Sequence, residues 1–238
     1  MCLSSDPRNR RLRAGLLLKW EDLEGRESRV LVDTTTDLRQ QALRACLDRV
    51  DGVLYTHHHA DHVLGLDELR IFGFVHGISI PLYGLPDTMD AIRDTFAYAF
   101  DDNAHGVPRV DVNAFDGPFT LRGVNVTPIP VLHDRITISA YRIGNFAYVT
   151  DCSGIPEASA EMLQGSDLLV IGALKRDAHP KHFNLDEALC EIERLKVGSA
   201  YLTHLSHEFE HEELEKELPE NVHVAYDGLV LEADETLT

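Results

Sequence analysis

Nothing in the 238-residue sequence approaches the roughly 20 consecutive apolar residues that a membrane-spanning helix needs. The start, Met1-Cys2-Leu3-Ser4-Ser5-Asp6, also lacks the charged-then-apolar pattern of a secretion signal. Cysteine is sparse: Cys2, Cys46, Cys152 and Cys190 show no paired spacing, which argues against a disulfide framework and for reduced thiols in a cytoplasmic protein. Positive charge is short as well. Lys and Arg number 22 against 40 Asp and Glu, a net charge of −18, which argues against a broad electrostatic grip on nucleic acid. A small phosphorylated substrate stays open, because bound dications reverse a local field. There is no internal repeat, low-complexity tract or long linker, so one soluble domain over residues 1–238 is expected.

What is present in excess is histidine and carboxylate within one short run. Residues 54–65 read Leu-Tyr-Thr-His-His-His-Ala-Asp-His-Val-Leu-Gly, placing His57, His59, Asp61 and His62 within six residues. The apolar Gly52–Thr56 before them reads as a short buried strand. His57 and His59, two apart, point the same way, whereas His58 points opposite and is expected to pack. Asp61 and His62 fall at the turn into an amphipathic stretch, where they face a second ion. Imidazole with carboxylate suits zinc, manganese or iron. The cluster therefore predicts a two-metal hydrolytic site, with ions expected about 3.5–4 Å apart.

Further donors recur where predicted strands end: His133 after Pro128–Leu132, Asp151 after Ala147–Thr150, and His204 after Tyr201–Thr203. Singly, each would be a cap or a hydrogen-bonded bystander; together they supply the ligands that four residues cannot. Around them the sequence reads as early paired strands (Gly15–Trp20, Ser28–Asp33), then alternating strands and helices, with a loop over 101–118 and a last strand at Leu229–Glu232. That order implies sheets packed face to face with helices outside, an α/β protein of the αββα sandwich type.

The order H-x-H-x-D-H, then a His after a strand, an Asp after a strand and a late Thr-His resembles the metallo-β-lactamase superfamily. Thr56–Arg70, Thr150–Pro156 and Leu202–His207 look more narrowly like the phosphoribosyl cyclic phosphodiesterases of phosphonate breakdown, from Pro7 onward. The resemblance implies two divalent ions, Zn or Mn with Fe admissible. It assigns His57, His59 and His133 to one, Asp61, His62 and His204 to the other, and Asp151 as the bridge. It implies a hydroxide between the ions as nucleophile. Asp61 and His182, the His just before the Leu185–Lys196 helix, form the catalytic group, with His182 as general acid for the leaving oxygen. His179 and His207 are expected to touch substrate; His76, His105, His211 and His223 read as surface residues.

Such relatives open with a Gly-Thr-Gly strand and a Cys-x-Cys-x-x-Cys zinc group. This chain, with Cys2 alone, is expected to lack the first strand and that zinc, leaving an edge that lowers stability or favours a homodimer. Arg8, Arg10, Arg11 and Arg13 crowd the first segment, either as a phosphate contact or as a solvated arm. The leading expectation is hydrolysis of a small cyclic or linear phosphodiester, with no membrane partner. The alternatives are a glyoxalase II-type thioesterase, a ribonuclease Z-like phosphodiesterase and a non-catalytic metal-binding scaffold.

Overall fold

A computed structural model describes residues 3–233 except 23 and 102, so Cys2 lies outside the described residues. The chain divides into two compact units, residues 13–124 and residues 1–12 with 125–238.

The first unit carries β1 (Leu16–Glu21), β2 (Glu27–Val32), α1 (Leu38–Arg44), β3 (Gly52–Leu54), α2 (Ala60–Val63), α3 (Leu69–His76), β4 (Ile80–Gly84), α4 (Pro86–Thr95), β5 (Val110–Ala114) and β6 (Phe119–Leu121). Five strands form a sheet in the order β1-β2-β3-β4-β5. β1 and β2 run antiparallel as an early pair, and the later neighbours run parallel. Parallel neighbours require crossovers, which the intervening helices provide. β3 is buried at every position, as its unbroken apolar run requires. Leu31, Val53, Tyr55, Leu66, Leu69, Phe72, Leu82, Met89 and Ile92 form the core that holds it.

The second unit carries β7 (Val124–His133), β8 (Ile136–Ile143), β9 (Phe146–Val149), α5 (Glu157–Leu163), β10 (Leu168–Gly172), α6 (Leu185–Leu195), β11 (Ser199–Thr203), α7 (His211–Glu217) and β12 (Val222–Val224). Its strands follow the order β12-β11-β10-β9-β8-β7. β7, β8 and β9 form an antiparallel meander, while β9 to β12 run parallel. Ile129, Val131, Val149, Leu163, Ile171, Ile192, Leu202 and Phe209 are among its core residues. α6 starts on a reciprocal cap: Asn184 accepts from Glu187 N at 2.8 Å, and Glu187 accepts from Asn184 N at 2.9 Å. That cap fixes where the 175–183 loop ends.

Two expectations of secondary structure need correction. The 101–118 segment is not loop throughout, because Val110–Ala114 pairs with β4; its alternating Val-Asp-Val is the strand signal, muted by an exposed edge position. The expected strand at Leu229–Glu232 does not form; a turn at Asp227–Gly228 precedes it, and no ladder partner follows among the described residues. α4 stops at Thr95, and Ala97–Phe100 tightens into a 3-10 turn.

Candidate functional site

In the first unit, β3 delivers His57, and α2 begins at Ala60 with His59 as its N-cap residue. His57 and His62 are buried, Asp61 and His59 are partly exposed, and His58 is exposed, so His58 does not pack as expected. A chain that must leave a buried strand and enter a helix within a few residues turns His58 outward. The rings of His57 and His59 lie 4.6 Å apart, and those of His57 and His62 lie 4.3 Å apart. His62 Nε2 is 3.9 Å from Asp61 Oδ2. The four donors of the sequence cluster are thus brought together.

One residue holds this group that sequence reasoning missed. Asp33, fully buried just after β2, accepts from Thr56 N (2.8 Å), Thr56 Oγ1 (2.8 Å) and His62 Nδ1 (2.7 Å). Thr56 Oγ1 spends its single proton on Asp33, so the 3.0 Å contact with His57 Nδ1 requires the imidazole to donate. Asp33 therefore sets the tautomer of two rings, directly for His62 and through Thr56 for His57. Both rings then carry their lone pair on Nε2, the form a metal ligand needs. The signal was present in the sequence: Arg29-Val30-Leu31-Val32-Asp33 is another acidic residue at a strand end.

Backbone bonds lock the Asp33 segment against the cluster. Thr34 N donates to His62 O at 2.8 Å, and Gly65 N donates to Thr34 O at 2.9 Å. A Cβ on Gly65 would meet Thr35 O at 2.0 Å, so only glycine permits the approach.

In the second unit, His133 ends β7, Asp151 follows β9, and His204 follows β11. His133 Nδ1 donates to the Asp151 carbonyl, which again leaves the lone pair on Nε2. His204 Nε2 lies 3.1 Å from Asp151 Oδ1, and Thr150 Oγ1 donates to the same oxygen at 3.1 Å. His182 joins them, with ring centroids 4.9 Å from His133 and 5.0 Å from His204. Asp151, His182 and His204 offer ligand atoms within 4.8 Å of one another, so His182 has the reach of a ligand as well as that of an acid. Burial pushes the His182 imidazole down to about 4, helped by the neighbouring His204, His133 and His179, while Asp151 pulls it up.

His179 sits 5.0 Å from His182, its Nδ1 accepting from Lys181 N at 3.3 Å. His207 is exposed on the loop after His204. His211 is buried against Tyr226 and not a surface residue; α7 turns its first residue inward, and burial lowers its pKa. Of the amino-terminal arginines, Arg8 pairs with Asp6 and Glu212, and Arg13 lies 3.5 Å from Asp61. They do not form a wholly solvated arm.

Three residues of the site share a left-handed backbone that Cys46, Arg122, Asp134 and Lys196 also adopt. Asp33 (φ 64°), Asp151 (φ 57°) and His204 (φ 56°) all sit in the left-handed region, where a non-glycine residue costs about 1–3 kcal/mol. A backbone ladder joins the loops of the second unit. Phe183 N donates to Cys152 O (2.7 Å), Leu174 N to Phe183 O (2.9 Å), and Ser206 N to Leu174 O (2.8 Å). The segments bearing Asp151, His182 and His204 are therefore tied rung by rung. Three imidazoles with one carboxylate in the first unit, and imidazoles with one carboxylate in the second, are a nitrogen and oxygen donor set that fits divalent zinc, manganese or iron.

A family model described as the beta-lactamase superfamily domain matches residues 28–205. A crystal structure of a diphosphatase from the PhnP family is 39% identical, covers 98% of this chain and 89% of that one, and superposes with a TM-score of 0.89. The chain belongs to the metallo-β-lactamase superfamily, whose αββα fold is the one expected from the sequence, and it is by class a metal-dependent hydrolase. Within that class, it resembles the PhnP family. The human short-form tRNase Z is 20% identical, with a TM-score of 0.70 over 92% of each chain, and shares the fold. An octanoyltransferase of Porphyromonas gingivalis is 35% identical over 99% of this chain, but the chain spans about half of that protein, 48% of its length.

Proposed function

We propose that this chain is a dinuclear metal-dependent phosphodiesterase acting on a small cyclic or linear phosphodiester. His57, His59 and His133 would hold one ion and Asp61, His62 and His204 the other, with Asp151 serving as a further ligand. The observation that carries this reading is His182, an imidazole outside the expected ligand set whose ring lies 4.9 Å from His133 and 5.0 Å from His204, where a leaving alkoxide would need a proton. The fixed Nε2 lone pairs of His57, His62 and His133 support it, because three rings are held at Nδ1 with the opposite nitrogen prepared for a metal.

When bound, two zinc or manganese ions supply an activated water and neutralise charge at phosphorus. The protein's own part begins with orientation. Asp33 holds His57 and His62, and the Asp151 carbonyl holds His133, so the donors do not reorganise during the reaction. His182 donates the proton that an alkoxide leaving group needs. Its imidazole is neutral in the free protein at neutral pH because burial holds it at about 4. An anionic phosphodiester beside it would favour the protonated imidazole. His179 and His207 contact the substrate from the loops on either side.

The diphosphatase likeness favours a second substrate reading, a diphosphate linkage, in which the leaving group is itself a phosphate and needs the acid less. Acyl transfer, the activity named for the longer relative, finds no support at Cys152. That thiol is buried beside Asp151 and pushed up to about 12, so it stays protonated.

After loading with manganese or zinc, turnover of bis-p-nitrophenyl phosphate is expected, with little turnover of a thioester assayed in parallel. Thioester cleavage without diester cleavage would refute the proposal, and inorganic diphosphate as the sole good substrate would select the second reading.

A further inference from the structure

The backbone ladder that ties the second unit's loops ends at a carbonyl, and what caps that end comes from the start of the chain. Ser206, whose N–H forms the last rung, has its own carbonyl met by Arg11 Nη1 at 3.4 Å. The same nitrogen donates to the Phe209 carbonyl at 2.8 Å. Phe209 is itself buried, so both ends of the Ser206–Phe209 turn are gripped by one half-buried guanidinium. Two residues before that turn stands His204, in the left-handed conformation that costs energy unless its surroundings enforce it.

The arm carrying Arg11 is anchored on both sides. Asn9 Nδ2 donates to Glu210 Oε1 at 2.6 Å, and Asn9 Oδ1 accepts from His211 N at 2.9 Å. Leu12 N donates to Asp227 Oδ2 at 3.0 Å. Arg11 lies ahead of residues 28–205, the span that the superfamily model matches.

We infer that Arg11 is a positioning residue: it holds the Ser206–Phe209 turn so that His204 keeps its strained backbone and presents its ring to a metal. A guanidinium suits the task because it stays charged and its Nη1 carries two protons, one for each of the two carbonyls. The inference rests on the reading of His204 as a metal ligand.

The test is a cobalt(II) titration, followed by its visible absorption, on the wild-type chain and on R11A, R11K and N9A. Steady-state kinetics on bis-p-nitrophenyl phosphate run beside it. R11A is expected to weaken the more loosely held cobalt equivalent about 10-fold and to lower kcat by a similar factor, with KM within about two-fold. R11K should fall between R11A and wild type, and millimolar guanidinium chloride should restore part of the cobalt affinity of R11A. N9A, which loosens the arm without touching the turn, should titrate as wild type. Wild-type affinity in R11A would overturn the inference, as would an N9A loss equal to that of R11A. Should R11A not fold, R11M decides, since it keeps the stem without a donor and wild-type cobalt affinity in it would overturn the inference. A wild-type chain that binds fewer than two cobalt ions sinks the dinuclear reading, and the difference between variants still reports on Arg11.

Discussion

The two donor groups of this protein are built by different means. In the first unit, His57, His59, Asp61 and His62 come from one strand-to-helix turn and are held by side chains, with the buried Asp33 carboxylate at the centre. In the second unit, His133, Asp151 and His204 end three separate strands and are held by backbone, through the ladder from Cys152 to Ser206 and the carbonyl that orients His133. A side-chain hub concentrates dependence on one residue. A backbone ladder spreads it over many, and each rung survives most substitutions because no side chain is needed to form it.

The largest expected effect probes the role at which the second group is ambiguous. His182→Ala should lower kcat on a poor-leaving-group diester about 10²–10⁴-fold while metal content, measured by elemental analysis, stays at the wild-type level. Loss of one metal equivalent would instead make His182 a ligand with Asp151 and His204, and the second group would then match the first at four donors. Next comes the hub itself. Asp33→Asn keeps the shape but replaces one acceptor oxygen with a donor, so either Thr56 N or the pair of Thr56 Oγ1 and His62 Nδ1 faces an N–H. Metal affinity, read by competition with a chromophoric chelator, should fall about 10–100-fold. Unchanged affinity would mean that the first group, like the second, is held by its backbone.

The smallest effect compares glycines beside the two groups. Gly65→Ala drives a methyl into the Thr35 carbonyl and should cost about 1–3 kcal/mol in urea unfolding. Gly172→Ala, beside Asp151, meets its nearest atom at 3.5 Å, an ordinary contact, and should change stability by less than about 1 kcal/mol. Equal losses would show that the second unit is packed as tightly around its donors as the first.

The candidate donors were legible in the sequence, and the reason is local. Four of them lie within six residues, and strand-end positions follow from apolar runs that stop at a polar residue. Their supports were less so. Asp33 sits 29 residues from His62, and the sequence does not announce that a carboxylate at one strand end will meet an imidazole past another. His211 looked like a surface histidine because α7 is mostly acidic, yet its first residue is turned inward against Tyr226. β5 was hidden for the opposite reason. An edge strand with exposed alternate positions carries little hydrophobic signal, and pairing with β4 makes it a strand.

By itself the sequence determined the class of chemistry: imidazoles and carboxylates at metal-binding spacing, on a chain patterned for alternating strands and helices. Those are properties of composition and short-range period, which any fold of the chain must respect. Only the tertiary structure decided which nitrogen each ring presents, which backbone positions carry strain, and that an arginine near the start of the chain closes the turn after His204. Hydrogen bonds between residues far apart in sequence set all three, and such partners exist only once the strands have found their order.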